Sequence, residues 1–168
     1  YRRDERMFNL NSRVNGKNRV FAVPFLAALL LCSIAISAVP LTGAHDPAWQ
    51  IPTYAYITAS PDLGVDQPVF LVFWLDKVPP TAGGTGGDRW TGFTLTITKP
   101  DGSIETKGPY ISDATSAAWD IFYPSQTGVY TIAFSFPGQT ASLYHPETGI
   151  VGSASDYVGD YYMPSSAS

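Results

Sequence analysis

Two histidines occupy positions in this chain that are compatible with a copper site. His45 follows Thr42-Gly43-Ala44, whose small residues predict a signal-peptidase cut after Ala44, and His45 would then become the new amino terminus. Its amine and imidazole could bind copper(II), whose tetragonal geometry favours nitrogen ligands, with His145 as a further ligand. The alternative is that both are ordinary surface histidines. The candidate metal ligands are therefore His45 and His145.

Carboxylates are the second group of residues that could do chemistry. Asp113 and Asp120 flank a predicted strand, and Asp156 and Asp160 lie in a glycine-rich segment, so loop carboxylates could bind calcium. None shows the alternating ligand positions and terminal glutamate of a calcium-binding loop, which favours capping of turns instead. The sequence has no Gly-x-Ser-x-Gly elbow, and its only cysteine, Cys32, lies in an apolar block. We therefore predict a protein that is not an enzyme, with no catalytic residues and no cofactor.

Aromatic side chains are the remaining candidates for ligand binding. Trp90 follows a glycine-rich loop, and Tyr161 and Tyr162 lie near the C-terminus, so the three could form an exposed surface that stacks on carbohydrate. The simpler interpretation is that they pack against a neighbouring domain. Trp74 and Trp119 lie in predicted strands and are expected in the core.

Two long loops separate the predicted strands. Residues 79–88 contain four glycines, but they lack the Lys-Ser/Thr pair of a phosphate-binding loop and no helix follows them. We therefore expect a flexible connection. Residues 142–155 are expected to form a long excursion on the surface.

The N-terminal segment differs in character from the rest of the chain. Basic residues precede an apolar block from Val20 to Ala38, which is the order found in secretory signal peptides. The 15 apolar residues from Phe25 to Val39 suit a signal peptide, whereas extension back to Val20 would also suit an uncleaved transmembrane helix. We predict an exported protein, extracellular or at the cell surface. Residues 1–44 would be upstream residues plus the signal peptide or membrane anchor, and residues 45–168 the domain.

Charge divides the chain at the same place. Residues 1–44 contain six Lys/Arg and two Asp/Glu, which gives them a net charge of +4. Residues 45–168 contain four Lys/Arg and twelve Asp/Glu, which gives them a net charge of −8. An acidic domain repels phosphate backbones, so no nucleic-acid partner is expected. The domain contains no cysteine and must therefore be stabilised by a packed core.

The apolar pattern of residues 45–168 repeats every second residue, which predicts strands. In Phe93–Thr98 apolar residues alternate with threonines, and Lys99-Pro100-Asp101-Gly102 then predicts a tight turn. Val69–Leu75 is apolar on both faces, so we expect a central strand with the opposite sheet on one side and another domain or loop on the other. Six strands predict an all-β fold, a two-sheet antiparallel β-sandwich. They are Ile51–Ser60, Val69–Leu75, Phe93–Thr98, Ser103–Gly108, Ala117–Ile121 and Val129–Phe136.

The segment Tyr123-Pro-Ser-Gln-Thr-Gly-Val-Tyr130 resembles the corner of extracellular immunoglobulin-like modules, in which a tyrosine hydroxyl closes the turn. Further segments resemble the N-terminal immunoglobulin-like module of archaeal exported proteins that carry a PQQ-binding-like β-propeller downstream. These segments are Trp49–Ile57, Val72–Asp76, Gly87–Trp90, Thr98–Gly102 and Gly159–Tyr162. The resemblance covers residues 45–168, and its motifs are structural.

The resemblance implies an immunoglobulin-like module that serves as an adhesion, spacer or docking unit, as a fragment of a larger surface protein. Its expected partner is the downstream domain of the same polypeptide, with a cell-surface glycan or protein as the alternative and membrane contact only through the N-terminal segment. A final strand follows the region of Tyr161-Tyr162 in such modules, but only six residues follow here. We therefore expect an incomplete last strand and an open sheet edge. The sequence contains no propeller repeat, so no quinone binding is implied.

Overall fold

A computed structural model describes residues 45–60 and 64–168, so the predicted signal peptide or anchor lies outside the described residues. This part of the chain is all-β, as predicted, and no helix in it is long and apolar enough to span a membrane. Its strands are β1 (Gln50–Ile51), β2 (Ala55–Ala59), β3 (Val69–Leu75), β4 (Phe93–Thr98), β5 (Ile104–Tyr110), β6 (Ala117–Phe122), β7 (Thr131–Phe136), β8 (Gln139–Thr140), β9 (Tyr161–Tyr162) and β10 (Ser165–Ala167).

Two antiparallel sheets form the body of the domain. One has the strand order β2-β3-β6 and the other the order β10-β7-β4-β5. A small third sheet joins β1, β9 and β8, with β1 parallel to β9. The six predicted strands are present as β2 to β7. The two-residue strands β1, β8 and β9 were not predicted as separate elements, because two residues carry no periodic signal.

The core lies between the two larger sheets. Each of these sheets contributes every second side chain of its strands to the core. Strand β4 buries Phe93, Leu95 and Ile97 completely. Phe134 of β7 faces Phe73 of β3 across the core, with ring centroids 5.1 Å apart. The alternating patterns of β4 and β7 are therefore confirmed, and they produce a β-sandwich-like arrangement.

Strand β3 is the central strand of its sheet, as its two-sided apolar pattern predicted. Leu71, Phe73 and Leu75 point into the core. On the opposite face, Phe70 and Val72 are 54% and 38% exposed. No other element among the described residues covers this second face, although its composition predicted a cover.

The last described residues form an edge of the four-stranded sheet. Strand β10 pairs with β7, with Ser166 opposite Ser135. The Thr53 hydroxyl donates to the carbonyl of Met163 at 2.8 Å and lies 2.7 Å from the Ser165 hydroxyl. A three-residue strand thus occupies the position at which the sequence predicted an open edge.

A polar clip of side chains joins the two sheets, between Asp120 of β6 and two residues of β5, Lys107 and Tyr110. The Asp120 carboxylate accepts hydrogen bonds from Lys107 Nζ at 2.7 Å and from the Tyr110 hydroxyl at 2.6 Å. Lys107 also donates to the carbonyl of Ile121 at 3.0 Å. Burial alone would raise the pKa of Asp120, but these donors and the Ile121 N–H outweigh it and lower the pKa. Asp120 therefore serves an inter-sheet contact.

The substitution Asp120→Asn should lower the free energy of unfolding by about 1 to 2 kcal/mol at pH 7, since it weakens charge-assisted hydrogen bonds. Because the folded-state pKa lies below the ordinary carboxyl value, the stabilisation is present above that value and is lost as the pH falls through the lower folded-state value. Urea unfolding at pH 7 and at about pH 2 measures both. If the variant and the wild type differed in free energy of unfolding by the same amount at both pH values, the proposed charge contact of Asp120 would be contradicted.

Candidate functional site

His45 lies at the start of the described domain and contacts the C-terminal segment. Its Nδ1 is 2.6 Å from the Asp160 carboxylate, and its ring stacks on Trp49 with centroids 3.6 Å apart. Asp160 is buried, and its other oxygen accepts the Trp49 N–H at 2.8 Å. Asp160 therefore anchors the N-terminal strand region to β9 and is not a free loop carboxylate.

His145 lies in the second long loop and has different partners. Its Nδ1 accepts the backbone N–H groups of Glu147 and Thr148 at 3.2 and 3.3 Å. In His45 the ring nitrogen that has a protein partner is likewise Nδ1, which contacts Asp160. Across residues 45–60 and 64–168, no group of three or more His, Cys, Asp or Glu could hold a metal ion. The copper site at His45 and His145 stays a prediction from the sequence.

Asp113 caps a turn, which was the favoured interpretation. One carboxylate oxygen accepts the N–H and hydroxyl of Thr115 at 2.8 Å and the N–H of Ala117 at 2.9 Å. Burial alone would raise the pKa of Asp113, but these hydrogen bonds outweigh it and lower the pKa. Asp156 is exposed. The four acidic residues proposed from the sequence therefore form no common cluster in the described part of the chain.

The predicted stacking surface at Trp90, Tyr161 and Tyr162 is wrong. Trp90 is completely buried, and its indole N–H donates to the carbonyl of Lys77 at 2.7 Å. Tyr162 packs on the Trp90 ring with centroids 4.6 Å apart, and burial raises the pKa of Tyr162 to about 12. Only Tyr161 is partly exposed. The physical reason is that β9 closes over the tryptophan that precedes β4.

The glycine-rich loop encloses a buried arginine and has a defined conformation in place of the flexible connection that its composition predicted. Arg89 is 5% exposed. Its guanidinium donates to four backbone carbonyls, those of Gly84, Gly86, Gly87 and Asp88. Gly87 has a φ of +79°, and a Cβ there would overlap the carbonyl of Thr81, so this position requires glycine.

Asp88 lies buried beside Arg89 and links the two long loops. Its carboxylate accepts the Ser142 N–H at 2.6 Å, the Arg89 N–H at 2.8 Å and Gln139 Nε2 at 3.0 Å. Burial raises the pKa of Asp88, because desolvation outweighs these hydrogen bonds and the attraction of Arg89. Sequence reasoning missed this network, because no local motif connects Asp88 to Gln139, 51 positions later.

An exposed apolar surface covers the outer side of the sheet β2-β3-β6. This surface, the outer aromatic face, consists of Tyr54, Tyr56, Phe70, Val72, Trp74, Trp119 and Ile121, together with the smaller Thr58 and Ala117 between them. Trp119 was expected in the core and is 68% exposed, so that prediction is wrong. Trp74 is partly exposed, and its ring stacks on that of Tyr56.

Two signals in the sequence point to the outer aromatic face. Val69–Leu75 is apolar on both sides, and Trp119 shares a side of β6 with Ile121. The other side of β6 carries Ala118 and Phe122, which are buried. Because both sides of the strand carry apolar residues, periodicity alone does not decide which one faces the core.

Comparison with known proteins yields no relative, since no protein-family model, no curated protein and no solved structure matches the chain. A candidate function therefore depends on the fold and surfaces of the described residues.

Proposed function

We propose that this chain is a non-catalytic immunoglobulin-like module that is exported and acts as a docking or spacer unit at the cell surface. The observation that carries the proposal is the strand order. The sheets β2-β3-β6 and β10-β7-β4-β5 correspond to the orders A-B-E and G-F-C-C′ of immunoglobulin-like sandwiches.

A tyrosine corner supports the same assignment. The Tyr130 hydroxyl donates to the carbonyl of Gln126 and accepts the N–H of the same residue, both at 3.1 Å. Tyr130 directly precedes β7, which corresponds to strand F, the strand at which this corner occurs in immunoglobulin-like domains. The hydroxyl contact predicted from residues 123–130 is thus confirmed.

Export and surface location rest on the order of basic and apolar residues in the segment before His45. The resemblance of residues 45–168 to modules of archaeal exported proteins supports the same location. A module of this kind acts through its surface, and its partners would be other protein domains at the cell surface.

Surface labelling tests the proposal. The full chain with Cys32→Ser and Thr106→Cys is expressed in cells with a general secretory pathway and treated with a membrane-impermeant maleimide. Thr106 is exposed on β5, so we expect equal labelling in intact and lysed cells if the N-terminal segment stays as an anchor, and labelled protein in the medium if it is cleaved. The matched variant Ala118→Cys lies in the core and should react only after denaturation, which reports folding. Labelling of Thr106→Cys only after lysis would contradict export.

A further inference from the structure

We propose that two copies of this chain pair through the outer aromatic face, in a dimer whose two-fold axis runs parallel to β3. The inference rests on the proposed function, because it identifies a partner for the docking unit.

The exposed area of the face is sufficient for a specific contact. Tyr54, Tyr56, Phe70 and Trp119 are 62%, 45%, 54% and 68% exposed. An aromatic side chain presents about 150–250 Å², so these four side chains alone leave roughly 450 Å² accessible. Two faces packed together would bury on the order of 1,000 Å², the lower bound for a specific protein interface.

Charge favours this face over the rest of the surface for pairing of two identical molecules. Residues 45–168 carry a net charge of −8, whereas no residue of the outer aromatic face is charged. Two copies that approach in other orientations bring carboxylates together, which is unfavourable. The carboxylate at the end of this face, Asp76, forms an ion pair with Lys77 Nζ at 2.7 Å, so approach through the face brings no unpaired like charges together.

The side chains of the face are self-complementary in size. One cross-strand row is Thr58-Val72-Trp119, and the neighbouring row is Tyr56-Trp74-Ala117. Each row has a small residue on one edge strand and a large residue on the other. A two-fold axis parallel to β3 places β6 of one copy over β2 of the second copy. Trp119 then lies over the second copy's Thr58, and Tyr56 over the second copy's Ala117. Large side chains of one edge strand therefore meet small ones of the other, while Val72 and Trp74 of the central strand meet their own copies at the axis.

Ring orientation favours a protein partner over a carbohydrate. The rings of Tyr56 and Trp74 stack on each other, with centroids 5.5 Å apart and planes 14° from parallel. Because they come from neighbouring strands and stack on each other, each ring has one of its faces covered by the other ring. A sugar stacks on a free ring face, whereas ring edges suit edge-to-face contacts with aromatic side chains.

Crosslinking tests the dimer in the full chain. Cells or membranes with the Cys32→Ser, Val72→Cys variant are treated with a short bis-maleimide. Val72 lies on the central strand, so the proposed axis brings it close to the second copy's Val72. We expect a crosslinked species of twice the mass of the uncrosslinked chain on the same gel. The matched variant Thr106→Cys, on the outer side of the other sheet, should give about tenfold less product, since it lies outside the interface.

The substitution Trp119→Lys in the Val72→Cys background should reduce crosslinking by at least about tenfold, because it would bury an unpaired charge in the interface. Trp119 is largely exposed in one copy, so the domain should stay folded. Protection of Ala118→Cys from maleimide in the same background reports folding independently.

Each other outcome overturns the dimer. These outcomes are no crosslinking at Val72→Cys, equal crosslinking at Thr106→Cys, or crosslinking that Trp119→Lys leaves unchanged. A crosslink between Val72→Cys and a different protein would assign the face to that protein. If the chain were monomeric and bound a glycan, and Trp119→Lys abolished this binding, the face would be assigned to the glycan. Failure of the proposed function is distinguishable, because surface labelling of Thr106→Cys reports export whether or not two copies pair.

Discussion

Replacement of Phe134 by alanine should destabilise the domain by about 3 to 5 kcal/mol, because it leaves a cavity in the middle of the core. Phe134 is completely buried. Its ring lies 5.1 Å from that of Phe73 in the opposite sheet and 4.8 Å from that of Phe93 in the neighbouring strand. A loss of this size is a large share of the 5 to 15 kcal/mol that is typical of a folded domain.

Urea unfolding of the purified protein, followed by tryptophan fluorescence, measures this loss for Phe134→Ala. The matched control is Val129→Ala, at a side chain that is 84% exposed near the same strand. It should change the free energy of unfolding by at most about 0.5 kcal/mol. A loss below about 1 kcal/mol for Phe134→Ala would contradict the assignment of this face to the core.

The substitution Arg89→Ala should also lower the free energy of unfolding by about 3 to 5 kcal/mol, since it breaks a buried charged network. Four loop carbonyls would lose their donor, and the buried Asp88 carboxylate would lose a nearby positive charge. The control Lys99→Ala removes a partly exposed ion pair with Glu105, and such pairs contribute about 0.2 to 1 kcal/mol.

The pH dependence separates the charge effect in Arg89→Ala from lost packing. Burial already raises the folded-state pKa of Asp88, and removal of Arg89 should raise it further. A group with a raised folded-state pKa binds its proton more tightly when folded, so its unfavourable effect disappears as the pH falls. Urea unfolding should therefore show a smaller loss at about pH 4 than at pH 7. Equal losses at both values would exclude the charge effect.

Much of the sandwich could be predicted from local patterns. The turn after β4 forms as predicted, with Gly102 at a φ of +84° and the Lys99 N–H donating to the carbonyl of Ser103 at 2.8 Å. Turn chemistry acts over four residues, so it is readable in the sequence. The corner at Tyr130 is equally local, because its hydroxyl contacts a residue only four positions away.

The exposure of the tryptophans could not be predicted in the same way. Trp90 follows a glycine-rich loop and is buried, whereas Trp119 lies in a strand and is exposed. The partner that covers Trp90 is Tyr162, which is remote in sequence. Nothing local to either tryptophan indicates which other segment packs on it.

By itself, the sequence determined the six longer strands, the tight turn and the tyrosine corner, since these depend on residues a few positions apart. Only the tertiary structure decided the enclosure of Arg89, the contact of His45 with Asp160 115 positions away, and the outward position of the outer aromatic face. The physical reason is that burial and buried hydrogen bonds depend on which distant segments pack together. An apolar pattern on both sides of a strand is compatible with either side facing the core.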